Sequence, residues 1–96
     1  SDPALRSEWI VIGAHLDHLG RWNFNALDPE ARDAIRNGAD DNASGVATVL
    51  ELARLLRARP VKRSVAIVTF SGEEIGLLGS AHFVDNPPFP LAQVQA

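Results

Sequence analysis

The sequence predicts an α/β fold, a βαβ core with a mainly parallel sheet in a three-layer α/β/α arrangement. Two observations carry this: short β-branched apolar runs at WIVIG and SVAIVTF, and an amphipathic helical pattern between them long enough to cross over. The first run predicts a buried strand over 9–14, since continuous apolar residues suit a strand covered on both faces. His15 to Asn25 mixes His, Asp, Gly, Asn and Trp without a period and is expected to be loop. Asp28-Pro29-Glu30 pairs an N-cap residue with proline at the first helical position, which predicts a short helix over 28–36 before Asn37-Gly38 stops it. Val46, Val49, Leu50, Ala53 and Leu56 recur at helical spacing, so the main helix is placed over 43–58, with Asn42 or Ser44 at its start and Pro60 beyond its end. The second apolar run is a strand over 64–70, which makes the unit parallel and right-handed. A short helix over 79–84 follows, and Asn86-Pro87-Pro88-Phe89-Pro90 is suited to neither helix interior nor central strand.

The 96 residues, 46% of them hydrophobic, suit one domain with one core. Nine basic against twelve acidic side chains leave a net charge of −3, which argues against a nucleic-acid partner. No apolar run reaches the length of a membrane span, so no membrane partner is expected either. Arg54, Arg57, Arg59, Lys62 and Arg63 cluster at the end of the main helix, where the helix dipole favours cations, and read as a solvated helix end. The absence of cysteine excludes disulfides, thiolate ligands and a cysteine nucleophile.

The chemistry-bearing residues follow the strands. In open α/β sheets ligands bind beyond the carboxyl ends of the strands, and His15, Asp17, Glu73 and Glu74 all fall there, while Asp40 and Asp41 precede the helix that starts from the same edge. Taken alone, Asp40-Asp41 reads equally well as favourable charge at a helix N-terminus, Glu73-Glu74 as a solvated turn, and His18 as a surface histidine. Together, five acids and a histidine from three segments concentrate negative charge that a divalent cation would neutralise. Carboxylate and imidazole donors suit zinc, then manganese or cobalt, and calcium poorly.

Other layouts do not fit. No GxSxG surrounds Ser44 or Ser71, HExxH is absent, and GEEIGLLGS lacks the lysine of a phosphate-binding loop. His15-Leu16-Asp17-His18 partly matches the HxHxDH motif of metallo-β-lactamase-like hydrolases, but Gly13 stands where its first histidine belongs.

Read together, VIGAHLDHLG, GADDNASGVATVLELAR and FSGEEIGLLGSAHF resemble the successive motifs of the co-catalytic zinc exopeptidases, the family of bacterial leucine aminopeptidases and aminopeptidase Y. The resemblance runs from Trp9 to Phe83 and agrees in order and spacing. It implies a three-layer α/β/α zinc exopeptidase-like fold, present here as a single partial catalytic domain over 1–96. It further implies a peptide substrate and two zinc ions per complete site. His15 would be a ligand of one zinc, Asp41 the carboxylate bridging both, and Glu74 a ligand of the second. Glu73 would be the general base, and the Asp17 carboxylate would orient His15 from behind and fix its tautomer. Asn42, Ser44 and Gly45 match positions that shape the turn into the helix.

The family's remaining ligands, an aspartate on a later strand and a histidine further on, have no counterpart before Ala96. Three of five expected ligands are therefore present. The resemblance implies an aminopeptidase-type metallopeptidase for the parent protein, secreted or periplasmic by family habit. The alternative is a non-catalytic fragment or assembly module completed by a second chain or by self-association; a metallo-β-lactamase-like hydrolase is a minor third reading that needs His18 as a ligand.

Overall fold

The computed structural model describes residues 2–21, 26–28, 30–31 and 33–96. Strand β1 (Trp9–His15) and strand β2 (Ser64–Phe70) form a parallel pair in the register Trp9↔Ser64 to His15↔Phe70. Helix α1 (Ser44–Ala58) connects them and packs against both, burying Val49. It closes with the Arg59 N–H on the Leu55 carbonyl at 2.8 Å, and Pro60 follows. Helix α2 (Leu78–Asp85) comes after β2, and a single 3-10 turn spans Leu91–Gln93.

The chain end lies along the other side of β1. Val94 bridges Trp9 in parallel, the Gln95 N–H donates to the Trp9 carbonyl at 2.8 Å, and the Val11 N–H donates to the Ala96 carbonyl at 2.7 Å. Strand β1 thus has backbone partners on both flanks over Trp9 to Val11, but its side chains are mostly half-buried and only Ala14 is fully buried, short of the burial that the continuous apolar run predicts.

The expected helix over 28–36 is absent among the described residues, with positions 29 and 32 lying outside them. Isolated turns stand there instead, closed by Ala31 N–H on Asp28 O at 3.0 Å and Ala34 N–H on Ala31 O at 3.1 Å. The physical reason is Arg36. Its guanidinium donates to the carbonyls of Arg21, Asp28, Ala31 and Ala34 and to the Asp28 carboxylate, so these acceptors are gathered around a side chain rather than along a helix axis. The same guanidinium holds the Asp28 carboxyl below its ordinary value.

Aromatic rings line one flank of the sheet. Trp9 stacks on Phe89 at 4.1 Å between centroids, and Phe83 meets Phe89 and Phe70 edge-on at 6.0 and 5.8 Å. Among the described residues only Ala14, Ala26 and Val49 are fully buried, whereas Leu16, Leu50, Leu78 and Val84 are more than half exposed. Two cations of the basic cluster are paired: Arg54 forks onto Glu51 at 2.7 and 2.8 Å, and Arg63 Nε donates to Glu8 at 2.6 Å. Among the described residues no helix is long and apolar enough to cross a membrane.

Candidate metal centre

The register brings both strands to an end together, with His15 opposite Phe70, and the Leu16 N–H donates to the Phe70 carbonyl at 2.9 Å to hold the departing chains side by side. Two loops and the approach to α1 meet at this edge. After β2, Gly72 takes a left-handed φ of 73° and its N–H points back to Asp17 Oδ2 at 2.8 Å. Glu73 and Glu74 follow directly, and the Gly76 and Leu77 N–H groups close on the Glu73 carbonyl, each at 3.0 Å.

The segment entering α1 separates two neighbouring acids. Over Ala39–Ala43 the backbone forms a single wide turn in which Asp41 and Asn42 are non-helical, and the peptide bond between them is cis. Asp40 faces the helix, its carbonyl accepting the Ser44 hydroxyl at 2.9 Å, and Asn42 Oδ1 accepts the Gly45 N–H at 2.9 Å. The first helical turn is thereby served by Asn42 and not by a carboxylate. Asp41 is released to the sheet edge, where Oδ1 lies 3.0 Å from His15 Nε2.

His15 is nearly buried, with 12% of its side chain exposed. Its Nδ1–H donates to the Asp17 main-chain carbonyl at 3.0 Å, so Nε2 is the nitrogen turned toward Asp41 and toward Glu73 Oε2 at 3.9 Å. Burial lowers the pKa of this imidazole, but the carbonyl of Asp17 and the charges of Glu73, Asp41 and Glu74 outweigh it, and the net shift is upward. The part of Asp17 that meets the ring is its backbone oxygen; its carboxylate serves Gly72, and its Oδ1 is buried with no hydrogen-bond partner.

His18 also enters the cluster, its Nδ1–H donating to Glu74 Oε1 at 2.6 Å. Two three-residue groups result, His15 with Glu73 and Glu74, and His18 with Asp41 and Glu74, the potential ligand atoms of each within 4.8 Å of one another. Of the residues singled out in the sequence, His15, Asp41, Glu73 and Glu74 converge, Asp17 supports them, and Asp40 turns away. The contact of His18 with Glu74 was not legible from spacing, because the partners are 56 residues apart. The repeated imidazole in HLDH was the available signal.

These residues fit a divalent cation. With Nδ1–H committed to a carbonyl, a neutral His15 directs a lone pair at the Asp41 carboxylate, an arrangement that either a proton on Nε2 or a cation between the two relieves. The potential ligand atoms here are carboxylate oxygens and imidazole nitrogens, a combination that suits zinc. A cleft of about 230 Å³ opens beside them, walled by His15, Asn42, Phe70, Ser71, Glu73 and Leu77.

The profile of peptidase family M28 matches residues 1–96. Aminopeptidase YwaD of Bacillus subtilis (strain 168) is 47% identical over 49 residues, covering 51% of this chain and 11% of that protein. Leucine aminopeptidase 1 of Metarhizium robertsii is 39% identical over 84 residues, covering 81% of this chain and 19% of that protein. A probable zinc metalloprotease of Pyrenophora tritici-repentis is 42% identical over 78 residues, covering 81% and 17%. The chain thus spans about a tenth to a fifth of the length of these relatives. No solved structure matches it significantly.

Proposed function

This chain belongs to peptidase family M28, and on that premise we propose that the whole protein is a zinc aminopeptidase-type metallopeptidase, hydrolysing the N-terminal bond of peptide substrates. The observation that carries the reading is the meeting of His15, Asp41, Glu73 and Glu74 at the carboxyl edge of one parallel sheet. Relatives named as aminopeptidases and as a zinc metalloprotease support the substrate class and the metal.

In this reading His15, Asp41 and Glu74 would hold zinc, two ions per complete site, and Asp41 would be the carboxylate serving both. Asp41 suits that role because it lies 3.0 Å from His15 and also groups with Glu74 and His18. Bound zinc supplies Lewis-acid polarisation of the scissile carbonyl and a lowered pKa for the attacking water. Glu73 is the general base. It is about one-third exposed on the cleft wall, so its carboxylate can reach solvent and substrate alike; it takes a proton from the attacking water and returns it to the departing amine. Asp17 is a positioning residue twice over: its carbonyl fixes the His15 tautomer and its carboxylate anchors Gly72, the residue before Glu73.

The test is elemental mass spectrometry on the purified whole protein, paired with cleavage of one peptide carrying either a free or an acetylated N-terminus. About two zinc ions per chain and cleavage of the free-amine form alone are the expected results. Zinc with cleavage of both forms would point to another peptidase specificity. A protein supplied with zinc that binds none would remove the reading.

A further inference from the structure

His18 belongs to no strand or helix, yet it is better shielded than two of the acids it accompanies: 21% of its side chain is exposed, against 66% for Asp41 and 36% for Glu73. Its partner Glu74 is similarly shielded at 17%. The separation of 2.6 Å between Nδ1 and Oε1 is that of a short hydrogen bond to a carboxylate oxygen. In the structure the pair stands as hydrogen-bond donor and acceptor.

The other side of His18 rests on a glycine. Gly38 has a left-handed φ of 63°, and a Cβ placed there would lie 2.8 Å from the Cβ of His18 and 2.8 Å from the Asp41 carbonyl oxygen. No larger residue fits that gap. The Gly38 carbonyl in turn accepts the Ala43 N–H at 2.9 Å, closing the turn that presents Asp41. His18 therefore touches the segments that present Asp41 and Glu74 while standing three residues from His15.

We propose that His18 is a positioning residue of the metal centre, its Nδ1–H fixing the Glu74 carboxylate and its Cβ braced on Gly38, so that the three ligand-bearing segments are aligned before an ion binds. The proposal rests on reading this site as a metal centre. Hydrogen bonds to a ligating carboxylate orient it and tune its basicity, and their removal costs metal affinity without removing a ligand.

The experiment compares the whole wild-type protein with His18→Ala, His18→Asn and His18→Phe. Zinc stoichiometry is read by elemental mass spectrometry and zinc affinity by competition with a chromophoric chelator. All variants should keep the wild-type stoichiometry. His18→Ala should bind zinc about 10–100-fold more weakly. His18→Asn, whose amide N–H reaches the position of Nδ1, should recover most of the loss. Should His18→Ala fail to fold, His18→Phe keeps the ring's packing on Gly38, lacks the N–H, and carries the same expectation. Loss of one equivalent of zinc in His18→Asn would make His18 a ligand and overturn the proposal; so would wild-type affinity in both His18→Ala and His18→Phe, or no recovery in His18→Asn. A wild-type protein that binds no zinc overturns the metal reading itself, whereas variants indistinguishable from a zinc-binding wild type overturn this inference alone.

Discussion

The two ends of the same strand pair solve the problem of charge differently. At the amino end, Glu8 precedes β1 and Arg63 precedes β2, so the parallel register sets them side by side and they pair at 2.6 Å; nearby, the Ser64 hydroxyl donates to the Arg6 carbonyl at 2.6 Å. At the carboxyl end the same topology gathers Asp41, Glu73 and Glu74 with His15 and His18. One end is neutralised by the chain itself. The other sets three acids beside two imidazoles among the described residues, and the upward shift of His15 is one expression of that negative charge. The difference separates an ion pair completed within the chain from a cluster whose donor atoms suit a cation.

The contrast can be broken most severely at Asp41. Asp41→Ala should release zinc altogether if this carboxylate is shared between ions, with activity lost in parallel, and elemental analysis with chelator competition reads it. One ion retained at wild-type affinity would contradict the shared role. Glu73→Ala should lower kcat by roughly 10²–10⁴-fold with zinc content unchanged, since a general base is no ligand; kinetics and metal analysis on one preparation check both halves.

Chelation sharpens the comparison without mutation. Each zinc ion at 100-fold its Kd should stabilise the protein by about 2.7 kcal/mol over the chelated form, visible as a concentration-dependent Tm. The smallest effect belongs to the amino end. Glu8 and Arg63 are both partly exposed, at 33% and 45%, so Arg63→Ala should cost no more than about 1 kcal/mol in denaturant unfolding and leave zinc affinity untouched. A loss of zinc binding in that variant would show that the two ends are coupled, not independent.

Much of this was legible in the sequence because it is local. The period of Val46, Val49, Ala53 and Leu56 places a helix, and unbroken β-branched runs place the strands; the observed α1 and β2 begin within a residue of the expectation. The edge at which acids collect is equally readable, since strand ends and a crossover helix in parallel topology share one side. The expected helix over 28–36 shows where local signals mislead. Asp28 and Pro29 carry the start signal, but Arg36 draws the carbonyls of Asp28, Ala31 and Ala34 to itself, a competition no propensity encodes. Asp17 is a subtler case: proximity to His15 was evident, but which of its oxygens meets the ring depended on where Gly72 lies.

By itself the sequence determined the α/β class, the strand and helix periods, the family, and the set of residues from which a metal site would be drawn. The tertiary structure decided the assignment of each atom. It sent Asp41 to His15 and Asp40 to Ser44, though the two are adjacent, and it joined His18 to Glu74 across 56 residues. The physical reason is range: periodicity, capping and turn preference act over a few residues, whereas a hydrogen bond between distant segments exists only once the sheet has fixed the distance between them.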